Sequence, residues 1–172
     1  MARNPRSPLI DWMGTRYRCY VASYRAYVKM RGYGDHLNDG PFFVRSFLAC
    51  WAEPGFHRFW RVWNPGIGYF VFRLYLAFGG RRNRVLATLA AFEVCGIAHV
   101  LGVYPFLRRW SLVLPVAFLC FGILTLVSRG LERMLRQDRW PTMANVIVNV
   151  GLIVVSYDIG FRVDRILRLG VW

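Results

Sequence analysis

Apolar residues are laid out in two ways along this chain. Near the amino terminus they recur at helical spacing: Tyr17, Tyr20, Val21, Tyr24, Tyr27 and Val28 fall on one face, and Arg18, Arg25 and Lys29 on another. The stripe predicts a basic amphipathic helix over 15–31, lying in the plane of a membrane interface. The alternative is an ordinary helix that packs on a partner through its tyrosines. Further along, the apolar runs become continuous. Segments 85–107, 110–128 and 143–161 are each long enough to cross a bilayer as a helix.

The segments between follow from breakers and short periodic runs. Residues 1–14 hold Pro5, Pro8 and Gly14 and read as irregular, and 32–41 read as a loop rich in Gly, Asp, Asn and Pro. Residues 42–53 form an apolar helix too short to span, broken by Pro54-Gly55. Phe56, Phe59, Trp60 and Trp63 then share a face, with His57, Arg58 and Arg61 elsewhere, an interleaving typical of a membrane interface. Asn64-Pro65 ends that helix and can begin the next, with Asn64 as N-cap and Pro65 at the first helical position. The following run, 66–78, suits a re-entrant or half-buried helix and stops at Gly79-Gly80. Residues 129–142 are polar and Arg-rich, and the tail repeats Arg162, Arg165 and Arg168 on one face. The fold class is therefore an all-α membrane protein with three transmembrane helices, one short or re-entrant helix and interfacial amphipathic helices. It divides into an interfacial segment over 1–53 and a membrane-embedded helical domain over 54–172.

Composition supports this picture and narrows the partners. The 172 residues are 56% hydrophobic and 17% aromatic, enough for one domain whose apolar content exceeds a soluble core's needs. The formal net charge is +14, and all basic residues but Lys29 are arginine. Nucleic-acid binding would need a basic face on a soluble fold. Here the arginines flank the apolar runs, where they meet anionic lipid. Their excess around 79–84 and 129–142 over 108–109 and the tail places the former side, with the amino terminus, in the cytoplasm. The amino-terminal segment has positive charge without a signal-peptide core, so the spans are expected to direct insertion, into a bacterial inner membrane. Cys19, Cys50, Cys95 and Cys120 form no CxxC pair, so neither a zinc nor a redox site is expected, and Cys95 and Cys120 read as small hydrophobes.

An ionisable side chain within a span is a functional candidate by default. His99 and Glu93 both lie in the first span, about 120° apart on a 3.6-residue period, so they form no obvious dyad. Glu93 calls for its own partner, with Arg73 or an interfacial arginine the candidates. His99 shares a face with Phe92, Cys95 and Gly96, and a small residue there admits a close neighbour, either a backbone or an acyl chain. His36, between Asp35 and Asp39, reads as a solvated loop histidine. Acyl transfer needs a base for the acceptor's proton and a donor for the developing oxyanion. His99 can serve as the base and the Asn64 amide as the donor. The competing assignments are structural: Asn64 as a helix cap only, and His99 as a packing residue bonded to a backbone carbonyl.

The run Phe59-Trp60-Arg61-Val62-Trp63-Asn64, then Gly79-Gly80, then Phe92-Glu93-Val94-Cys95-Gly96-Ile97-Ala98-His99 resembles the core of the membrane-bound O-acyltransferase family. Members carry F-W-x-x-W-[HN], a Gly-Gly element and an F-x-x-S-G-x-W-H-type motif ending in the catalytic histidine. Cys95 stands where the family has Ser, and Ala98 where it has Trp. The resemblance implies His99 and Asn64 as catalytic residues and an acyl thioester such as acyl-CoA as donor substrate, with no tightly bound cofactor and no metal. The acceptor would be a hydroxyl or an amine. Family members enclose the acyl donor with many more spans than the three read here, which implies completion by another membrane chain or by a homo-oligomer. The alternative function is a non-catalytic membrane subunit that packs on partner helices, lipid or pigment, with His99 bonded to that partner.

Overall fold

The computed structural model describes Tyr24, Tyr27 and residues 40–169. The chain divides into two compact units, Met1–Phe42 and Phe43–Trp172. In the first, Tyr24 and Tyr27 are helical and Tyr27 is buried. The rest of the helix read over 15–31, the irregular 1–14 and the loop with His36 lie outside the described residues.

All elements from residue 40 onward are helical: α1 Gly40–Trp51, α2 Phe56–Val62, α3 Pro65–Ala77, α4 Arg84–Leu107, α5 Val113–Leu135 and α6 Thr142–Leu169, with a 3-10 turn over Gln137–Arg139 between the last two. Three of them, α4, α5 and α6, are long and apolar enough to cross a membrane. The protein is an integral membrane protein of helical class. At 13 residues α3 is only about 20 Å long by the helical rise, well short of a span.

The punctuation follows local chemistry. Asn64 caps α3, its Oδ1 accepting from the Gly66 and Ile67 amides at 3.0 and 3.1 Å, with Pro65 at the first helical position. Gly79 closes α3 in a left-handed conformation, φ 72°; its amide donates to the Leu76 carbonyl and that of Gly80 to Tyr75. This is a Schellman stop, and it explains the Gly-Gly element as a helix terminator. A Cβ on Gly80 would lie 2.3 Å from the Tyr75 ring, whose hydroxyl donates to the Gly80 carbonyl. The second span begins three residues later than the run starting at Trp110 suggested. Arg108 takes a left-handed φ of 48° and ends α4. Asp164 of α6 then accepts from the Leu112 amide at 2.7 Å and pins the start of α5, while Arg168 donates to the Trp110 carbonyl at 2.6 Å. The third span runs on through Arg162, Arg165 and Arg168, so the basic tail face is the last turns of α6 rather than a separate element.

The three long helices pack in sequence, each antiparallel to the last. Gly96 of α4 faces Pro115 and Phe118 of α5, and Gly122 faces Leu89 and Phe92. At the other interface Gly160 of α6 meets the Val113 backbone. Small residues let helix backbones approach where lipid supplies no hydrophobic drive. A Cβ on Gly160 would sit 2.5 Å from the Val113 carbonyl oxygen, which is backbone and cannot swing away. Gly160→Ala is therefore expected to destabilise the fold by about 1–3 kcal/mol. Thermal unfolding in detergent checks this, with Gly151→Ala, which meets nothing within 4 Å, as the neutral control.

Candidate active site

The short helix α2 is a wedge of aromatic side chains set against α4 and α5. Phe56 and Phe59 are buried and stacked, with centroids 5.7 Å apart. The Trp60 ring lies 5.1 Å from Phe121, 5.4 Å from Phe92 and 5.4 Å from Trp63. Phe56, Phe59, Phe92 and Phe121, with Cys50, Cys95, Ala117 and Phe118, form the core of the unit, and Trp60 and Trp63 pack against it partly buried. The aromatic residues read as an interfacial face are thus largely a packing face, and the arginines of α2 lie outside it.

His99 lies on α4 at the rim of this core, half-buried. Its Nδ1 is 2.7 Å from the Cys95 carbonyl oxygen one turn back, and its ring lies 4.8 Å from Phe118. A carbonyl only accepts, so Nδ1 carries the hydrogen, and in the uncharged tautomer that this selects the lone pair lies at Nε2. The carbonyl bond expected for a packing histidine is therefore present, and it also fixes the tautomer a general base needs. Asn64 is a helix cap, and capping occupies Oδ1. Its Nδ2 is the half of the amide left to donate. Ring contacts run from Trp63, beside Asn64, through Trp60 to Phe118 and so to His99. The close neighbour expected beside Gly96 is the α5 backbone, with the Pro115 Cα 3.0 Å from a Cβ placed there.

Glu93 does not pair with Arg73. Arg73 donates instead to the Tyr69 hydroxyl at 3.2 Å, and Glu93 Oε2 is buried with no hydrogen-bond partner among the described residues. Cys50 is no nucleophile: burial pushes its thiol up to about 12, and the thiol donates to the Phe47 carbonyl. Among the described residues no group of His, Cys, Asp and Glu could hold a metal ion.

A second polar constellation, unmarked by any motif, joins α2 to the end of α5. The His57 amide donates to Ser128 Oγ at 2.9 Å, and His57 Nδ1 lies 3.3 Å from the same oxygen. His57 Nε2 lies 3.3 Å from Glu132 Oε2, and Arg58 pairs with the other oxygen of that carboxylate. Burial first, then the Arg129, Arg58 and Arg61 guanidinia, lower the His57 pKa to about 4, so the imidazole is neutral. Glu132 does not reverse this, because Arg58 already meets its charge. Burial also raises the Glu53 carboxyl, against the pull of Arg58 and Arg61. Asn149 of α6 clasps the α1–α2 turn, its Nδ2 donating to the Trp51 and Glu53 carbonyls at 2.9 and 3.0 Å. Ser128 and Glu132 stand one helical turn apart near the end of α5, with no motif that marks them. Nothing in the sequence pointed to His57 as their partner 71 residues earlier.

No family model matches the chain, and no solved structure matches it. Among curated proteins, a stretch of 57 residues is 39% identical to the membrane-bound O-acyltransferase GUP1 of Saccharomyces cerevisiae. The stretch is 33% of this chain and 10% of the yeast protein, so the chain spans about a tenth of the relative it matches.

Proposed function

We propose that this protein is a membrane-bound acyltransferase, or the catalytic part of one, that moves an acyl group from a thioester to a hydroxyl or amine. The observation that carries the reading is His99: its Nδ1–H is anchored on the Cys95 carbonyl, which leaves Nε2 as a base inside a span. The matched stretch of a named O-acyltransferase supports the same class. In this reading His99 Nε2 takes the acceptor's proton, and the Asn64 amide donates to the substrate. The donor is an acyl thioester such as acyl-CoA, admitted from the side that holds residues 79–84. The lipid-facing surface is completed by lipid and by a second membrane chain or a further copy. Only 17% of the α6 span is covered within the unit, and this exposure favours such a neighbour.

Purified protein in phospholipid vesicles, given a long-chain acyl-CoA and hydroxylamine as a small amine acceptor, should release acyl hydroxamate. Asn64→Ala should slow release less than loss of the base does. It should also cost about 0.5–2 kcal/mol of stability through the lost cap. Asn64→Asp keeps the cap and removes the N–H donor, so it separates the two roles: stability should return while transfer stays slow. A protein that forms no hydroxamate and consumes no acyl-CoA removes the acyltransferase reading and leaves that of a membrane subunit.

A further inference from the structure

Trp60 is partly buried and packs against the aromatic core, and its indole N–H is itself buried without a hydrogen-bond partner among the described residues. An indole nitrogen can only donate, and a donor shut away from water without an acceptor carries its full desolvation cost. One turn along α5 from Phe121, which packs on Trp60, the Thr125 hydroxyl is also buried and has no hydrogen-bond partner among the described residues. Phe118 links Trp60 to His99: its ring lies 6.4 Å from that of Trp60 and 4.8 Å from that of His99. Each unpaired buried polar group of this kind calls for an explanation.

We propose that Trp60 is a substrate-binding residue whose indole N–H receives the carbonyl oxygen of a fatty acyl group. The surroundings select that class of acceptor. The ring neighbours of Trp60 are Phe and Trp side chains, Phe92, Phe118 and Phe121 among them, so a carboxylate or phosphate brought against them would bear a heavy desolvation cost. An uncharged carbonyl on an apolar chain brings an acceptor and little else to desolvate. The inference rests on the acyl-transfer reading and gives it its carbonyl site. In the step, the acceptor hydroxyl oxygen bonds to the carbonyl carbon as its proton passes to His99 Nε2. The carbonyl electron pair moves to oxygen, where the Trp60 N–H bonds more strongly. The oxyanion then re-forms the double bond, the carbon–sulfur bond breaks, and the proton passes from the imidazolium to the departing thiolate. The products are an ester and a free thiol.

The test uses a non-transferable probe, a long-chain ketone thioether of coenzyme A, in which a methylene separates sulfur from the carbonyl. The control is the S-alkyl thioether, which has no carbonyl. In the full chain labelled with ¹⁵N-tryptophan, the assigned Trp60 indole resonance should move downfield with the ketone and stay in place with the control. Trp60→Phe keeps a ring in the core and should weaken ketone binding roughly two- to tenfold relative to the control. Dividing by the control cancels any loss of packing, and the wild-type resonance does not require the variant to fold. Binding of both probes with no selective shift of Trp60 overturns the inference and leaves the acyl-transfer reading standing. Failure of both probes to bind removes the reading and the inference together.

Discussion

His99→Ala is expected to slow acyl transfer by about 10²- to 10⁴-fold, the usual contribution of a general base, while the protein keeps its fold. The fold survives because the imidazole makes one local bond, to the Cys95 carbonyl one turn back on the same helix, and one ring contact, to Phe118. Neither ties one helix to another through a buried polar group. His99→Gln is the sharper variant: its amide can still donate but cannot take up a proton near neutral pH. It should therefore retain substrate binding and lose turnover as His99→Ala does. Hydroxamate release against acyl-CoA concentration checks both, with circular dichroism and melting temperature as controls for folding. Wild-type turnover in a folded His99→Gln variant would remove the histidine from the chemistry.

The helical architecture was legible in the sequence because a bilayer forces it. Runs of apolar residues past the spanning length leave the backbone no option but internal hydrogen bonds. The Asn64-Pro65 start and the Gly79 stop were legible for a local reason, since each depends on its own residue's conformation. The start of α5 was not. The run from Trp110 is apolar enough to be helical, but the helix begins where Asp164, more than fifty residues later, supplies an acceptor to the Leu112 amide. Long-range partners of that kind leave no trace in local spacing.

The same limit applies to the site. His99 and Asn64 stood out as polar residues in apolar or aromatic surroundings, and their local bonds, to Cys95 and to Gly66 and Ile67, follow from helix spacing. The role of the aromatic run was harder to see. Phe56, Phe59, Trp60 and Trp63 have the spacing of an interfacial face, and the same spacing serves a helix that turns its rings inward against α4 and α5. Sequence pattern fixes which residues share a face and does not say what the face meets. The Trp60 N–H could gain meaning only once its neighbours were known to be rings.

Glu132→Ala is expected to cost about 2–3 kcal/mol of stability. Breaking a buried ion pair from one side typically costs more, about 3–5 kcal/mol. The figure is discounted because the Arg58 side chain is 41% exposed and can return to water, whereas Glu132 is only 12% exposed. What cannot relax is His57, which is 9% exposed and loses the carboxylate beside Nε2. His57→Phe separates the parts, since it leaves the Arg58–Glu132 pair and removes the titrating ring. The hub also sets an acid limb. Below pH 6.5 the unfolded imidazole takes up a proton, while the folded one stays neutral until about pH 4. Across that window the unfolded state binds more protons, so the His57 contribution to stability falls as pH falls. Glu53 acts in the opposite sense: its raised pKa keeps a proton on the folded carboxyl above the 4.5 of the free group, so its contribution falls as pH rises. Wild-type protein should therefore lose melting temperature between pH 6.5 and 4, and His57→Phe should lose less over the same interval. An equal loss in both would show that the acid limb belongs to other groups, and a Glu132→Ala variant as stable as wild type would show that α2 is held by its aromatic rings alone.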